Sequence, residues 1–299
     1  TACGKSALAC ELAGTFNAEI VSADSVQVYR SLDIGSAKPT PEQRRKIAHH
    51  LVDVVEPDED YTAARFADDA QAAVSDILSR DRNVFVVGGT GLYIKALLGG
   101  LFAGPGADAS VREELLEFAQ ASGTEALYER LKEADPEAAK RTHPNNVRRV
   151  VRALEVFAIS NKPISEFQAE HGFSESRYDA LKIGINVERK ELCEAIDRRV
   201  DEMIVSGLVD EVRVLIERYD GRIDGAGPGL KSMGSLGYKE IARYLSGGTG
   251  LSEAIAEIKK NTRRYAKRQM TWFRKDTDIK WYSSADKTGI IARIRRHLS

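Results

Sequence analysis

The sequence predicts an α/β protein: a P-loop-type parallel sheet flanked by helices, interrupted by an all-helical insertion domain. Three observations carry this. The chain opens with TACGKS at 1–6, which fits the last six residues of the phosphate-binding pattern G-x-x-x-x-G-K-S/T. Strand-like and helical segments then alternate, and Asn83–Val87 is a continuous apolar run that suits a parallel strand buried on both faces. From Ser110 to His171 only helical patterns appear.

The elements follow in order. Residues 5–14 read as the helix after the loop, Glu19–Ser22 as a short strand and Leu51–Val55 as another. Thr62–Ser79 has Ala63, Phe66, Ala70, Ala73, Val74 and Ile77 at helical spacing. The strand Asn83–Val87 runs into Gly88-Gly89-Thr90-Gly91, and a helix starts at Leu92. Helices are expected at 110–121, 124–134, 145–160 and 163–170, strand character returns at Leu181–Val187, and helices resume at 189–205 and 207–219. A Gly-rich loop spans Gly221–Gly237, with glycines at 221, 225, 227, 229, 234 and 237. Helix 251–275, strand 279–282 and a basic last helix complete the chain. The core domain is therefore set at 1–104 and 181–299, and the helical insertion at 105–180. A P-loop hangs from a strand, so a short apolar strand and the first loop Gly are expected upstream of Thr1.

Composition narrows the function. The 299 residues are 42% hydrophobic and 30% charged, as in a soluble globular chain. Lys+Arg (44) and Asp+Glu (45) nearly cancel, so a uniform basic coat is excluded and any nucleic-acid surface must be local. Cys3, Cys10 and Cys193 form no C-x-x-C pair, which points to a reducing, cytoplasmic setting. The five histidines lack ligand spacing, and no apolar run reaches membrane-spanning length.

Several residues are candidates for chemistry. Thr1, Ala2, Cys3, Gly4, Lys5 and Ser6 would wrap backbone N–H groups around a diphosphate, with Lys5 adding charge and Ser6 reaching Mg²⁺. The competing reading is a Gly-containing turn before an Ala-rich helix. Asp24 follows a core strand, where open α/β sheets bind ligands; a general base, a Mg²⁺ partner and a helix N-cap are all consistent with it. The strand ending at Val87 has no acidic residue of the kind ATP-hydrolysing P-loop proteins use to hold Mg²⁺. Thr90 there can donate to a phosphate or cap the next helix. Arg141–Arg152 holds four arginines and no acid, and 259–275 holds eight Lys/Arg and no acid with Tyr265, Trp272 and Phe273 interleaved. Cations with aromatics suit RNA, and equally a solvated helix face.

Taken together, TACGKS at 1–6, DSVQVYRSLDIGSAKP at 24–39, VGGTGLY at 87–93, HPNNVRRVVRALEVF at 143–157, SLGYKE at 235–240 and KRQMTWFR at 267–274 resemble the tRNA dimethylallyltransferase family. The resemblance covers essentially the whole chain, in order.

It implies transfer of a dimethylallyl group from dimethylallyl diphosphate to N6 of the adenosine at tRNA position 37, with Mg²⁺ required and diphosphate released. The P-loop, though of a nucleotide-binding type often read as ATP-binding, would then hold a pyrophosphate. Asp24, Thr90 and Lys5 would be catalytic, and Arg199 would join the diphosphate site. The tRNA contacts implied are Asp24, Ser25, Val26, Gln27, Thr90, Arg112, Arg148, Arg149, Val150, Val151, Arg152, Gly234, Ser235, Leu236, Gly237, Tyr238 and Lys239. The insertion would grip the anticodon stem-loop; tRNA and dimethylallyl diphosphate are the partners, with no membrane and no obligate protein partner. The alternatives are a P-loop small-molecule kinase and dimethylallyl transfer to a free adenine nucleotide.

Overall fold

Helix α1, Lys5–Thr15, begins where Gly4 takes a left-handed backbone (φ 76°), and no acid occupies its first turn. The computed structural model in which this is seen describes residues 2–102, 104–172, 177–219 and 230–299. Thr1 and the loop glycines 221, 225, 227 and 229 therefore lie outside the described residues.

After α1 come β1 (Ala18–Ala23), α2 (Pro41–Lys46), β2 (His49–His50), α3 (Ala63–Ser79), β3 (Asn83–Gly88) and α4 (Gly91–Gly99). Strand β1 is central, paired in parallel with β2 and β3, giving the order β2-β1-β3. The expected strand Leu51–Val55 is not formed. Leu51 (φ 60°) and Asp53 (φ 59°) are left-handed, which breaks an extended run, and only Val55 makes a single bridge, to Tyr29. The Asp53 carboxylate fixes this irregular loop by taking bonds from Lys38 and Arg44, both at 2.6 Å. Strand β3 is partly exposed along its length and not buried on both faces.

Helices α5 (Ala109–Ala134), α6 (Pro136–Lys140), α7 (Val147–Ser160) and α8 (Ile164–His171) follow. Gly123 (φ 88°) breaks α5 where the sequence reading separates 110–121 from 124–134. Then come β4 (Ile183–Asn186), α9 (Arg189–Val205), α10 (Leu208–Arg218), a 3₁₀ turn at Lys231–Gly234, α11 (Tyr238–Leu245), α12 (Leu251–Phe273), β5 (Lys280–Ser283) and α13 (Lys287–Leu298). Strands β4 and β5 form a separate parallel pair. Among the described residues the parallel strands thus make two small sheets where the sequence suggests one. Leu8, Leu12, Phe85, Ile183, Ile185, Tyr282, Ile290 and Ile294 form a shared apolar cluster over both.

The chain divides into two units, Thr1–Leu97 with Tyr178–Ser299, and Leu98–Arg177. The first has the main core, with Phe66 stacked on Tyr93 at 4.2 Å between ring centroids. The second is wholly helical, and its core includes Leu127, Leu131, Val150, Val151 and Leu154. It runs 98–177 rather than 105–180.

One buried charge gives the first unit a pH dependence. Glu19 on β1 is 2% exposed and is gripped by Arg80 (2.5 and 2.9 Å), Arg82 (2.7 Å) and His50 (2.7 Å). The Arg80 bonds, helped by His50 and Arg82 against burial, hold its carboxyl at about 2. A carboxyl lowered on folding adds stability above its unfolded pKa, and that stability is lost as pH falls through the folded value. The urea midpoint is thus expected to drop between about pH 4.5 and 2, and Glu19→Gln to flatten that drop.

Candidate diphosphate and RNA site

The start of α1 has a backbone shape that suits an anion. Ala2 (φ 53°) and Gly4 (φ 76°) are both left-handed, the alternation that turns successive N–H groups to one side. Gly4 provides no side-chain cap, which leaves the first N–H groups of α1 to an outside acceptor. A Cβ on Gly4 would meet nothing within 4 Å, so its role is conformational and not steric. Lys5 is partly exposed, and the exposed Ser6 lines an open cavity of ≈ 260 Å³ with Cys10, Ser22, Gln27, Lys38 and His49 among its walls.

Asp24 and Thr90 stand just past the C-terminal ends of β1 and β3, neighbours paired from Ala18–Asn83 to Ala23–Gly88. The Asp24 Oδ1 accepts from Val26 N (2.9 Å) and Gln27 N (3.4 Å), so this oxygen does act as a turn cap. Its Oδ2 takes no hydrogen bond from the described residues. Thr90 N donates to Ala23 O (3.1 Å), and Thr90 Oγ1 accepts from Ser25 N (3.0 Å), stitching the two strand ends together.

The glycines around Thr90 have steric reasons. A Cβ on Gly88 would lie 2.0 Å from Ala23 O, one on Gly89 2.0 Å from Gln269 Nε2, and one on Gly91 2.2 Å from Trp272 Nε1. Helix α12 therefore packs against this loop through residues at i, i+3 spacing. Gln269 Nε2 donates to Gly89 O at 2.8 Å. Tyr265, one turn earlier, is partly buried, and burial with the nearby Asp24 charge pushes its phenol up. Sequence reasoning missed Gln269 and gave Tyr265 no individual role; their shared helix face with Trp272 was the available signal.

Arg199 on α9 is mostly sheltered and makes no ion pair or hydrogen bond with the described residues. Burial pulls its guanidinium down, opposed by the negative charge of Asp24. A desolvated cation without a partner, near the carboxylate and Cys3, is suited to an anion from outside.

The expected RNA residues separate into distinct groups. Arg148 and Arg149 are exposed and unpaired among the described residues. Arg112 (2.9 Å) and Arg152 (2.7 Å) instead clamp Glu155, whose side chain is fully buried, and Arg152 also donates to Pro105 O at 2.7 Å. Burial pushes Glu155 up, but the bonds from Arg152, Asp108 N and Arg112 keep its carboxyl below the usual range. Val150 (0% exposed) and Val151 (3%) belong to the helical core, because 147, 150, 151 and 154 form the apolar stripe of α7. Their side chains are therefore unavailable to RNA.

Gly237 and Tyr238 are buried as well, and the Tyr238 hydroxyl donates to Glu211 at 2.7 Å. Gly234 and Lys239 are exposed, and Ser235 and Leu236 partly so. Ser25, Val26 and Gln27 are also partly exposed, but the Gln27 amide bonds Ser22 (3.0 Å) and the carbonyls of Ser36 and Ala37 (3.2 Å each). In the basic helix α12, Lys259 pairs with Asp201 at 2.7 Å and Arg263 with Asp197. Lys260, Arg264, Lys267, Arg268, Arg274 and Lys275 remain exposed. No helix among the described residues is long and apolar enough to cross a membrane.

Comparison with known proteins agrees with this geometry. The family model described as IPP transferase matches residues 27–276. The chain is 54% identical over 281 residues to tRNA dimethylallyltransferase 2 of Geotalea uraniireducens, covering 94% of this chain and 89% of that one. It is 51% identical to the tRNA dimethylallyltransferase of Geobacter sulfurreducens, covering 94% and 88%. Among solved structures, the full-length tRNA isopentenylpyrophosphate transferase of Bacillus halodurans is similar over 100% of this chain and 92% of its own, with 40% identity and a TM-score of 0.70. A eukaryotic dimethylallyltransferase acting on tRNA covers 99% of this chain at 29% identity, matching 75% of its own length, with a TM-score of 0.80. The chain belongs to the IPP transferase family, alongside the tRNA dimethylallyltransferases it resembles in sequence and in structure.

Proposed function

We propose that this chain transfers a dimethylallyl group from dimethylallyl diphosphate to N6 of adenosine 37 of tRNA and releases diphosphate. The observation that carries the reading is the left-handed Ala2–Gly4 cradle at the start of α1, in the same unit as a carboxylate with a free oxygen, Asp24, at a parallel strand end. We read the cradle as a P-loop that grips the diphosphate.

In the reaction the C1–O bond of the allylic diphosphate breaks as the N6–C1 bond forms. Negative charge builds on the departing diphosphate. The α1 N–H groups, Lys5 and Arg199 stabilise it, being charged or dipolar before the reaction begins. The proton lost from N6 passes to Asp24 Oδ2, while Oδ1 stays bonded to Val26 and Gln27 and holds the carboxylate in place. Thr90 bridges the two strand ends beside it.

Mg²⁺ fits the donors present. Ser6 is exposed and lines the open cavity, and no group of three or more His, Cys, Asp and Glu that could cage a metal exists among the described residues. A hard cation that keeps much of its water would be held by Ser6 and the diphosphate oxygens, where it would further neutralise the leaving group.

The helical unit and α12 each carry exposed basic groups suited to RNA. Arg148 and Arg149 are the clearest phosphate ligands, being exposed and unpaired. Arg148→Ala or Arg149→Ala is expected to weaken tRNA binding and lower the salt slope by roughly one unit. Arg152→Ala is expected chiefly to destabilise the helical unit, because it leaves Glu155 with one partner fewer. Binding isotherms across salt, with melting curves, check both. A tRNA substrate makes the cytoplasm the expected location.

The function is tested by mass spectrometry of tRNA nucleosides after incubation with dimethylallyl diphosphate or with ATP. A dimethylallyl adenosine at position 37 with the first alone is the expected result. Phosphate transfer from ATP would replace this reading with a kinase, and prenylation of free AMP in preference to tRNA with a nucleotide prenyltransferase.

A further inference from the structure

Helix α1 and strand β2 bring a thiol and an imidazole together on one cavity wall. Cys10 Sγ lies 3.6 Å from His49 Nε2, although 39 positions separate them in sequence. Cys10 stands on α1 one turn after Ser6, on the same helix face. His49 stands on β2, paired with Ile20 of the central strand. All four residues line the same open cavity of ≈ 260 Å³.

The imidazole is oriented as a metal ligand would be. Its Nδ1 lies 2.7 Å from Ile47 O, and a carbonyl can only accept, so Nδ1 carries the proton and Nε2 keeps its lone pair toward Cys10. Ligating histidines are commonly fixed by such an outer bond. Burial also pulls His49 down, which favours the neutral ring. It pushes the Cys10 thiol up, so a metal has to displace a proton there.

The separation fits as well. Zinc bonds of about 2.3 Å to sulfur and about 2.0–2.1 Å to nitrogen, at a tetrahedral angle, place the two donors about 3.5–3.6 Å apart. Lys38, the cation of this wall, is already taken by Asp33 and Asp53, each at 2.6 Å. No third His, Cys, Asp or Glu joins the pair among the described residues, so water completes the coordination. At about 30 Å³ per water the cavity has room for it.

We propose that Cys10 and His49 form a two-point site for a divalent cation of the Zn²⁺ class, held by Sγ and Nε2 in the cavity that Ser6 also lines. The thiol proton leaves to solvent, the imidazole gives its lone pair, metal-bound waters are displaced, and nothing is oxidised or reduced. Thiolate and imidazole select this class over Mg²⁺, which prefers oxygen donors. The binding is independent of the reaction proposed above. Its consequence, inhibition of transfer by a cation lodged beside Ser6, rests on that reaction.

The test uses Cd²⁺ as the probe, because its ultraviolet charge-transfer band reports thiolate ligation directly. The full chain should show this band with excess Mg²⁺ present. Cys10→Ser and His49→Gln should each weaken Cd²⁺ binding by at least about 10-fold, the scale on which even a supporting partner of a metal ligand matters. Melting curves without metal check that both variants fold. A second measurement needs no variant: Cd²⁺ should protect Cys10 from iodoacetamide more than Cys3 and Cys193, read by peptide mass spectrometry. Undiminished binding in either variant, or protection of Cys3 or Cys193 in place of Cys10, overturns the proposal. Zn²⁺ should also inhibit transfer by the unmodified protein, and Cys10→Ser should need about 10-fold more of it. Equal inhibition of the two overturns the inhibitory consequence. Absence of transfer by the unmodified protein without Zn²⁺ would instead defeat the function proposed above and leave the binding result standing.

Discussion

Asp24→Asn is expected to slow single-turnover transfer by about 10²–10⁴-fold, the usual contribution of a general base, with tRNA affinity unchanged within a few-fold. The structure makes this substitution unusually clean. Oδ1 caps the turn through Val26 N and Gln27 N, and an asparagine oxygen can accept both bonds. The turn, the Ser25–Thr90 bond and the fold are therefore retained, and only the basic oxygen facing away from the turn is replaced. Three roles give three outcomes. A base loses rate at every Mg²⁺ concentration. A metal holder recovers its rate in excess Mg²⁺. A pure turn cap keeps both rate and stability. Single-turnover rates across a Mg²⁺ titration separate them, and near-normal turnover at all concentrations would rule out Asp24 as the base.

Arg199→Met is expected to change activity and stability in opposite directions. Loss of one preorganised donor to developing charge lowers kcat by about 10²–10³-fold. Yet the guanidinium is sheltered and bonds to none of the described residues, so its removal takes away a desolvation cost and breaks no ion pair. The melting temperature should stay the same or rise. Inorganic diphosphate should then stabilise the unmodified protein much more than the variant, since a ligand stabilises according to its affinity for the folded state. Arg199→Lys should fall between, because an ammonium keeps the charge without the planar fork. A lowered melting temperature with activity intact would make Arg199 a structural residue. The Asp24 and Arg199 substitutions lie in one electrostatic neighbourhood, so their effects are expected not to add.

Several parts of the chain were legible from residue order alone. TACGKS specifies a left-handed glycine ahead of a helix, a local requirement that short-range sterics impose. The amphipathic spacing of 62–79 and 251–275 gave α3 and α12 to within a few residues, since a helix satisfies its own backbone. The capping box Thr40–Gln43 with Pro41 also marks α2 in the sequence, although its six residues carry no apolar period to draw attention to them. Family motifs gave Asp24, Lys5, Thr90 and Arg199 by number.

What only the tertiary structure decided was which polar groups remain free. Arg148 and Arg152 stand four residues apart on one helix and look alike in sequence. Arg152 is engaged because Glu155 is buried beside it with Arg112, a residue from a different helix. Lys259 and Arg263 belong to an acid-free stretch, but their acids, Asp201 and Asp197, arrive on α9 from more than fifty residues away. The strand expected at Leu51–Val55 gave way to a loop because Lys38 and Arg44 gather the Asp53 carboxylate, which no local propensity encodes. Gln269 and Trp272 reach the loop around Thr90 only because Gly89 and Gly91 have no side chain to block them. Backbone conformation follows from neighbours in sequence, whereas the partner of a charge or hydroxyl is set by whichever distant group the packed core brings within about 3 Å.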